Sequence, residues 1–209
     1  INKFYACGDK SIKEFATIGF DEYILSDCKG KDFEIVENNT FYFDINNARV
    51  EREAIKIWDD NNEIVAGSGS TLFFWNVANR TGEAKKGRKH ASLKINIDTM
   101  NEITSLAVVN YSNENESFLA VASKSYAVIY IYDKNHNNVS RLISHTMGVS
   151  SLKSSGNRLF SGSLDMNVRL WDVKKVIPLV NYATRRLKIL TIEIGCYFDQ
   201  FFLFVADDK

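Results

Sequence analysis

The chain has 209 residues, 45% of them hydrophobic and 25% charged, and its 26 lysines and arginines balance 26 aspartates and glutamates. This is the composition of a globular protein with enough apolar surface to bury a core. The zero formal net charge gives no general reason to expect nucleic acid or an anionic membrane as partner, although a local basic patch is compatible with either.

The cysteines and the hydropathy pattern indicate the compartment. Cys7, Cys28 and Cys196 are scattered and odd in number, which is typical of reduced thiols rather than of a disulfide framework. No apolar run approaches the roughly 18 residues that a membrane span needs, and no signal-peptide pattern follows Ile1. We therefore expect a cytoplasmic or nuclear protein with no membrane partner. Because no initiator Met is present, we expect the chain to be part of a longer protein.

Two short segments rich in aromatic residues come first along the chain. Residues 4–15 predict a strand, a turn and a second strand that ends at Phe15. Residues 33–44 repeat this pattern in a more degenerate form that ends at Phe43. We interpret them as two compressed copies of one strand–turn–strand unit.

Two further copies follow, separated by a polar stretch. Residues 63–77 end in Trp75-Asn76, and residues 118–133 end in Tyr132-Asp133. The stretch at about 80–100 is polar, and its basic part is residues 80–90. We expect this stretch to be an insertion between two units.

The clearest segment is residues 145–173. It predicts three short strands, at 149–152, 159–163 and 168–171, because apolar and polar residues alternate with period two. Gly156-Asn157 and the stretch 164–167 provide the turns between them. Beyond this segment, residues 189–194 and 201–205 predict two more strands.

Residues 145–173 resemble the WD-repeat (β-transducin-like) family. The resemblance rests on a His in the entry loop (His145), a Ser-Gly-Ser-x-Asp run (161–165) and a Trp-Asp pair (171–172), in the family's order and spacing. It implies an all-β β-propeller of four-stranded antiparallel blades. The five closing aromatic positions indicate about five visible blades, whereas the family's rings have about seven. We therefore expect residues 1–209 to be one propeller domain, incomplete at both ends.

The resemblance also implies roles for the polar residues of this segment. In the family, the His, a Ser, the Asp and the Trp form a buried hydrogen-bonded network. Here these residues are His145, Asp165 and Trp171, and either Ser161 or Ser163 can complete the network. A Ser, a His and an Asp superficially suggest nucleophilic catalysis, but a buried network has no exposed nucleophile, so we expect no catalytic residue and no enzyme.

Other kinds of chemistry lack their motifs. The cysteines and histidines include no closely spaced pair of the kind that zinc sites use, so we expect no metal. The Gly67-Ser68-Gly69 run is too short for a phosphate loop and lacks its Lys. We therefore expect no cofactor and no small-molecule substrate.

In WD-repeat propellers, the loops on one face dock proteins and peptides. By resemblance, the candidates here are loop residues of three units: Thr146, Met147, Leu164, Met166, Lys124, Ser125, Tyr126, Ser68, Gly69 and Ser70. Methionine and tyrosine in loops are suited to protein contacts. The expected function is a protein-interaction scaffold within a larger assembly, which could recruit substrates to a complex such as a ubiquitin ligase or a kinase.

Two alternatives stay open. Lys85, Lys86, Arg88 and Lys89 could contact RNA phosphates, which would suit a ribonucleoprotein component, although no aromatic residues are interleaved to stack bases. Arg185 and Arg186 could grip a phosphoinositide headgroup. Propellers that bind these lipids carry Phe-Arg-Arg-Gly, whereas this chain has Thr184 and Leu187 at the flanking positions.

Overall fold

The computed structural model describes the backbone of residues 2–7, 11–18, 34–42, 53–58, 63–76, 87–112, 114–184, 187–197 and 200–207. Side chains are described within 53–58, 63–76, 91–112, 114–184, 187–195 and 202–207. The described residues contain no helix long and apolar enough to cross a membrane.

The described residues form five β-sheets, numbered here in chain order. Sheet 1 contains β1 (Asn2–Cys7), β2 (Ser11–Ile18), β3 (Glu34–Tyr42) and β7 (Gly87–His90). Sheet 2 contains β4 (Ile55–Trp58), β5 (Glu63–Ser68), β6 (Thr71–Asn76) and β8 (Leu93–Asn96). Sheet 3 contains β9 (Ser105–Tyr111), β10 (Glu116–Ser123), β11 (Tyr126–Tyr132) and β12 (Asn138–Ile143). Sheet 4 contains β13 (Val149–Ser155), β14 (Arg158–Ser163), β15 (Asn167–Asp172) and β16 (Ile177–Ala183). Sheet 5 contains β17 (Ile189–Tyr197) and β18 (Gln200–Asp207).

Sheets 2 to 5 pack face to face in chain order, so a strand of sheet 3 or sheet 4 is buried on both sides. Along β10, Leu119 and Val121 join the core shared with sheet 2, whereas Ala120 and Ala122 join the core shared with sheet 4. Because side chains of a strand alternate between its two faces, both faces of β10 must be apolar. This explains the nearly continuous hydrophobic run at residues 118–122.

The first strands of sheets 2 to 5 meet along one line. β4 contacts β9, β9 contacts β13, and β13 contacts β17. Each of these strands lies at one edge of its own sheet. The four sheets therefore fan out from a common axis, as the blades of a propeller do.

Small residues allow the sheets to approach closely. A Cβ at Gly67 would lie 2.4 Å from Ile103 Cγ2, and one at Gly162 would lie 2.7 Å from Ile189 Cγ2. Both glycines belong to the Gly-Ser pairs that end β5 and β14. The small residues at these two strand ends therefore permit close packing between neighbouring sheets.

The predicted fold class is confirmed, but the division of the first 44 residues is wrong. The sequence pattern predicts two separate blade units from segments 4–15 and 33–44. Instead β2 and β3 pair antiparallel in one sheet, with Phe15 opposite Glu37, because β3 is a single strand of nine residues. The fifth sheet is β17–β18. Phe43 lies outside the described residues.

The expected insertion at about 80–100 also needs correction. β8 lies in this range and completes sheet 2 beside β6. β7 lies there too and pairs parallel with β3, which departs from the expected all-antiparallel pattern. Parallel neighbours need a long crossover connection, and here the first three strands of sheet 2 lie within it. Residues 87–96 thus form strands rather than an inserted loop.

Candidate functional site

A chain of hydrogen bonds crosses the interior of sheet 4. Trp171 Nε1 donates to Ser161 Oγ at 2.7 Å. Ser161 Oγ lies 2.7 Å from His145 Nε2, and His145 Nδ1 lies 2.8 Å from Asp165 Oδ2. The His145 side chain is fully buried and that of Asp165 is 4% exposed. The structure thus brings together the four residue types that the resemblance to WD repeats implied.

The protonation states follow from the surroundings. Burial lowers the pKa of His145, although its hydrogen bond with Asp165 opposes this effect. Burial alone would raise the pKa of Asp165, but hydrogen bonds from the Thr146 amide and from His145 bring it below its ordinary value. A neutral imidazole beside a carboxylate donates from Nδ1 and accepts at Nε2. The Ser161 hydroxyl therefore accepts from Trp171 and donates to His145.

Ser163, the other serine that the sequence left open, has a different role. Its hydroxyl donates to the carbonyl oxygens of Gly148 at 2.9 Å and Met147 at 3.1 Å. It also accepts from the Asp165 amide at 3.1 Å. Ser163 thus fastens the entry loop to the turn after β14, while Ser161 belongs to the His–Asp–Trp network.

The arrangement is a structural framework rather than a reactive site. Ser161 is completely buried, and its hydroxyl is engaged by both His145 and Trp171. A nucleophile needs access to a substrate carbonyl or phosphorus atom, which this oxygen lacks. Among the described residues, no three His, Cys, Asp or Glu side chains are grouped so that they could hold a metal.

The network supports two exposed loop residues. Asp165 Oδ2 accepts from the Thr146 amide at 3.0 Å, and Asp165 Oδ1 accepts from the Asn167 amide at 3.0 Å. One buried carboxylate therefore ties the entry loop to the β14–β15 turn. Met147 in the loop is 45% exposed and Met166 in the turn is 37% exposed. Leu164, in the same turn as Met166, is half-buried.

Met166 has an unusual backbone conformation. Its φ is 67°, the left-handed region that favours glycine and asparagine. Its carbonyl oxygen accepts hydrogen bonds from Thr184 N at 2.9 Å and Thr184 Oγ1 at 3.0 Å. A bulky side chain is thus held in a strained turn and directed at least partly to the surface.

The entry loop of sheet 4 also touches the β10–β11 turn of sheet 3. A Cβ added at Gly148 would lie 1.7 Å from the Lys124 carbonyl oxygen. Lys124 and Ser125 are exposed. Tyr126 is half-buried, stacks on Tyr130 with ring centroids 6.2 Å apart, and packs against the core between sheets 2 and 3. Of these candidates, Tyr126 is therefore the most committed to the core.

The candidate loop of sheet 2 is held by its own neighbours. Ser70 Oγ donates to Asn96 Oδ1 at 2.7 Å, and the Ser70 carbonyl accepts from Ile97 N at 2.8 Å. Ser68 is buried and Gly69 exposed. The segment between β8 and β9 is joined to the same turn, since Ile103 N donates to the Gly69 carbonyl at 2.7 Å.

The structure describes only part of the basic candidate residues. Lys85, Lys86, Arg185 and Arg186 lie outside the described residues. Arg88 and Lys89 lie on β7, where the structure describes the backbone alone. These two residues therefore belong to an edge strand of sheet 1 and not to a loop.

A contact between sheets 2 and 3 is not among the features predicted from the sequence. His136 Nε2 lies 2.8 Å from Glu63 Oε2, and the His136 ring packs edge-on against Phe74 and Trp58, at centroid distances of 4.5 and 6.0 Å. His136 has a φ of 65°. The sequence carries no signal for this pairing, because it depends on which residues face each other across two sheets.

Comparison with known proteins agrees with this geometry. The WD domain, G-beta repeat family matches at residues 136–172. Nuclear distribution protein PAC1 of Candida tropicalis (strain ATCC MYA-3404 / T1) is 29% identical over 115 residues, which are 54% of this chain and 21% of that protein. A candidate E3 ubiquitin-protein ligase, LIN-1 of Lotus japonicus, is 60% identical over 30 residues, 14% of this chain and 2% of that protein. The matches thus span about a fifth or less of these relatives.

Solved structures show the same architecture. A chain in the mitotic checkpoint complex has a TM-score of 0.61 and 16% identity, covering 93% of this chain and 50% of that one. The WD40 β-propeller domain of Doa1 has a TM-score of 0.57 and 14% identity, covering 92% and 56%. The family is generally a non-catalytic scaffold fold. The chain thus contains a WD40 repeat at residues 136–172, and its sheets have the arrangement of the blades of a WD40 β-propeller.

Proposed function

We propose that this chain is a protein-interaction scaffold that docks a protein or peptide on the loop face formed around Met147 and Met166. The observation that carries the proposal is the left-handed backbone of Met166. An L-residue in this conformation costs about 1–2 kcal/mol, and glycine or asparagine would occupy the turn at lower cost. Strained residues of this kind cluster at functional sites, where the surrounding structure holds them.

Exposure and chemistry support the same conclusion. Met147 and Met166 are both more than one-third exposed, so the fold gains little from burying them. The unbranched thioether side chain adapts to irregular apolar surfaces. Two methionines flanking one buried carboxylate therefore offer a partner an apolar anchor point.

The framework beneath these residues makes the face rigid. Asp165 ties the loop and the turn together, and Ser163 fixes the entry loop through the carbonyls of Met147 and Gly148. A binding surface that is ordered before association loses less conformational entropy when the partner arrives. The His145 network thus serves binding by holding the loops in place.

The proposed function also includes a broader role. We propose that the partner is a protein of a larger cytoplasmic or nuclear assembly, that this chain recruits it without catalysing a reaction, and that a ubiquitin ligase or kinase complex is one such assembly. In support, one relative is named for nuclear distribution, another as a candidate E3 ubiquitin-protein ligase, and one structural neighbour comes from the mitotic checkpoint complex. The RNA and phosphoinositide alternatives stay predictions, because no described side chain bears on them.

Site-specific photo-crosslinking tests the proposal. A photoreactive amino acid placed at Met147 or at Met166 is expected to form a covalent adduct with the same protein partner in cells. Ile143 on β12 is 70% exposed and provides a matched apolar control on the outer strand of sheet 3. Adducts at 147 and 166 but not at 143 would support the loop face. Equal yields at all three positions, or no protein adduct at 147 and 166, would refute it.

A further inference from the structure

A single carboxylate lies where the inner strands of four sheets meet. Glu53, two residues before β4, accepts a hydrogen bond on Oε2 from Ser105 Oγ at 3.0 Å and another from Ser151 Oγ at 2.6 Å. Its other oxygen, Oε1, accepts from Thr191 Oγ1 at 2.5 Å. The three hydroxyls belong to β9, β13 and β17, and they lie 52, 98 and 138 residues away in the chain.

These four residues occupy equivalent places in their sheets. Glu53 forms a parallel bridge with Ser105, and each of the four directly precedes a buried aliphatic residue: Ala54, Leu106, Leu152 or Ile192. Where three sheets have a hydroxyl, sheet 2 has a carboxylate. A carboxylate has two oxygens and about four acceptor positions, so it can collect several donors that one hydroxyl could not.

Backbone hydrogen bonds continue the same pattern between neighbouring sheets. Leu106 N donates to the Glu53 carbonyl at 2.9 Å. Leu152 N donates to Ser105 Oγ at 2.9 Å, and Ile192 N donates to Ser151 Oγ at 3.2 Å. Each serine therefore accepts from the amide of the next sheet and donates its own proton to Glu53. Ser105 and Ser151 are completely buried, so water does not replace these partners.

Lys153 places a positive charge near the negatively charged Glu53 carboxylate. Lys153 Nζ lies 3.7 Å from Glu53 Oε1 and 2.9 Å from the exposed Glu193. The Glu53 side chain is 21% exposed, which leaves the ion pair partly screened. The direct hydroxyl bonds, and not the distant ammonium, are therefore the specific contacts of this carboxylate.

We propose that Glu53 is an inter-sheet latch that holds the inner strands of four blades in register at the propeller axis. It acts through the hydroxyls of Ser105, Ser151 and Thr191 and, through the two serines, on the amides of the following sheets. Sheets 2 to 4 also carry the candidate docking loops, so the latch is a positioning device for that face. This last consequence, unlike the latch itself, rests on the proposed function.

Amide hydrogen exchange of the whole protein tests the latch. In Glu53→Ser, which gives sheet 2 the hydroxyl found in its neighbours, the Leu152 and Ile192 amides are expected to exchange at least about tenfold faster, because their acceptor serines lose a fixed partner. Amides of β14 and β15, in the same fold but away from the axis, are expected to change much less. Glu53→Gln should give an intermediate acceleration, because one amide oxygen replaces two carboxylate oxygens.

A matched variant and a second readout separate the possible outcomes. Glu193→Gln makes the same chemical change at a neighbouring carboxylate that contacts Lys153 and none of the three hydroxyls, and it should leave both amides within twofold of wild type. Equal acceleration of all amides in Glu53→Ser, or none at Leu152 and Ile192, would overturn the latch. The yield of the partner adduct at position 166 in Glu53→Ser, compared with wild type, tests whether the latch positions the docking face. If wild type forms no adduct, the proposed function fails while the exchange result still decides the latch.

Discussion

Ser161→Ala is expected to lower the free energy of unfolding by about 2–4 kcal/mol. The Ser161 hydroxyl accepts a hydrogen bond from Trp171 and donates one to His145, each with a donor–acceptor distance of 2.7 Å. Its removal leaves a buried indole N–H and a buried imidazole nitrogen without their partner. Each buried polar group that loses its hydrogen bond costs about 1–3 kcal/mol. Urea denaturation, monitored by tryptophan fluorescence, measures the loss in unfolding free energy.

Ser154→Ala provides the control for this change. Ser154 lies on β13 in the same sheet and is only half-buried, so its truncation should change stability by less than about 0.5 kcal/mol. If both alanine variants lose the same small amount, the His145 network is not the framework of sheet 4. Equal and large losses would instead show that sheet 4 tolerates no serine truncation. The His145 network would then stabilise sheet 4 no more than its other hydrogen bonds do.

Gly148→Ala is expected to be the second severe change, with a loss of about 3 kcal/mol or more. The new Cβ would lie 1.7 Å from the Lys124 carbonyl oxygen and 2.3 Å from its carbonyl carbon. These are backbone atoms, so no rotamer change can relieve the overlap, and either the entry loop or the β10–β11 turn must move. Overpacking in a fixed environment commonly costs 1–3 kcal/mol, occasionally more. Thermal and urea unfolding would measure it.

Gly156→Ala is the matched glycine control. Gly156 has a φ of 54° and no atom within 4 Å of an added Cβ, so alanine there costs only backbone strain, about 1–2 kcal/mol. A loss at Gly148 no larger than that at Gly156 would show that the loop and the turn separate easily. The close approach of sheets 3 and 4 at the loop face would then not be fixed by this glycine.

Sheet 4 was the part of the fold most predictable from sequence. Its strands follow from period-two alternation with turn residues between them, and its polar positions carry three family signatures. The choice between Ser161 and Ser163 was not predictable. Both lie on one strand face and both are buried, so only the positions of His145 and of the Gly148 carbonyl separate their roles.

Sheet 1 was predicted less well, for a physical reason. The pairing of β2 with β3 and of β3 with β7 is set by hydrogen bonds between segments distant in the chain, and single-sequence periodicity contains no such information. The β3–β7 pair joins Asn39 to Gly87. The polar, basic stretch at residues 87–90 resembles a loop in sequence, although its backbone pairs with the edge of sheet 1.

The latch at Glu53 left only a faint pattern in the sequence. Ser105-Leu106, Ser151-Leu152 and Thr191-Ile192 repeat a hydroxyl residue before an aliphatic one, and Glu53-Ala54 occupies the same place with a carboxylate. The repeat is too short to identify before the inner strands are aligned. The structure supplies that alignment, because the four positions converge on one carboxylate.

In the proposed function the exposed methionines bind the partner, whereas the buried network only holds their loops in place. The most direct test measures the affinity of Met166→Gly for the partner captured by crosslinking, by titration calorimetry. The free energy of unfolding of the same variant is measured in parallel. Glycine suits the left-handed turn, so stability should be unchanged or rise by up to about 1 kcal/mol, while affinity should fall at least about tenfold. Unchanged affinity in a stably folded Met166→Gly protein would contradict the claim.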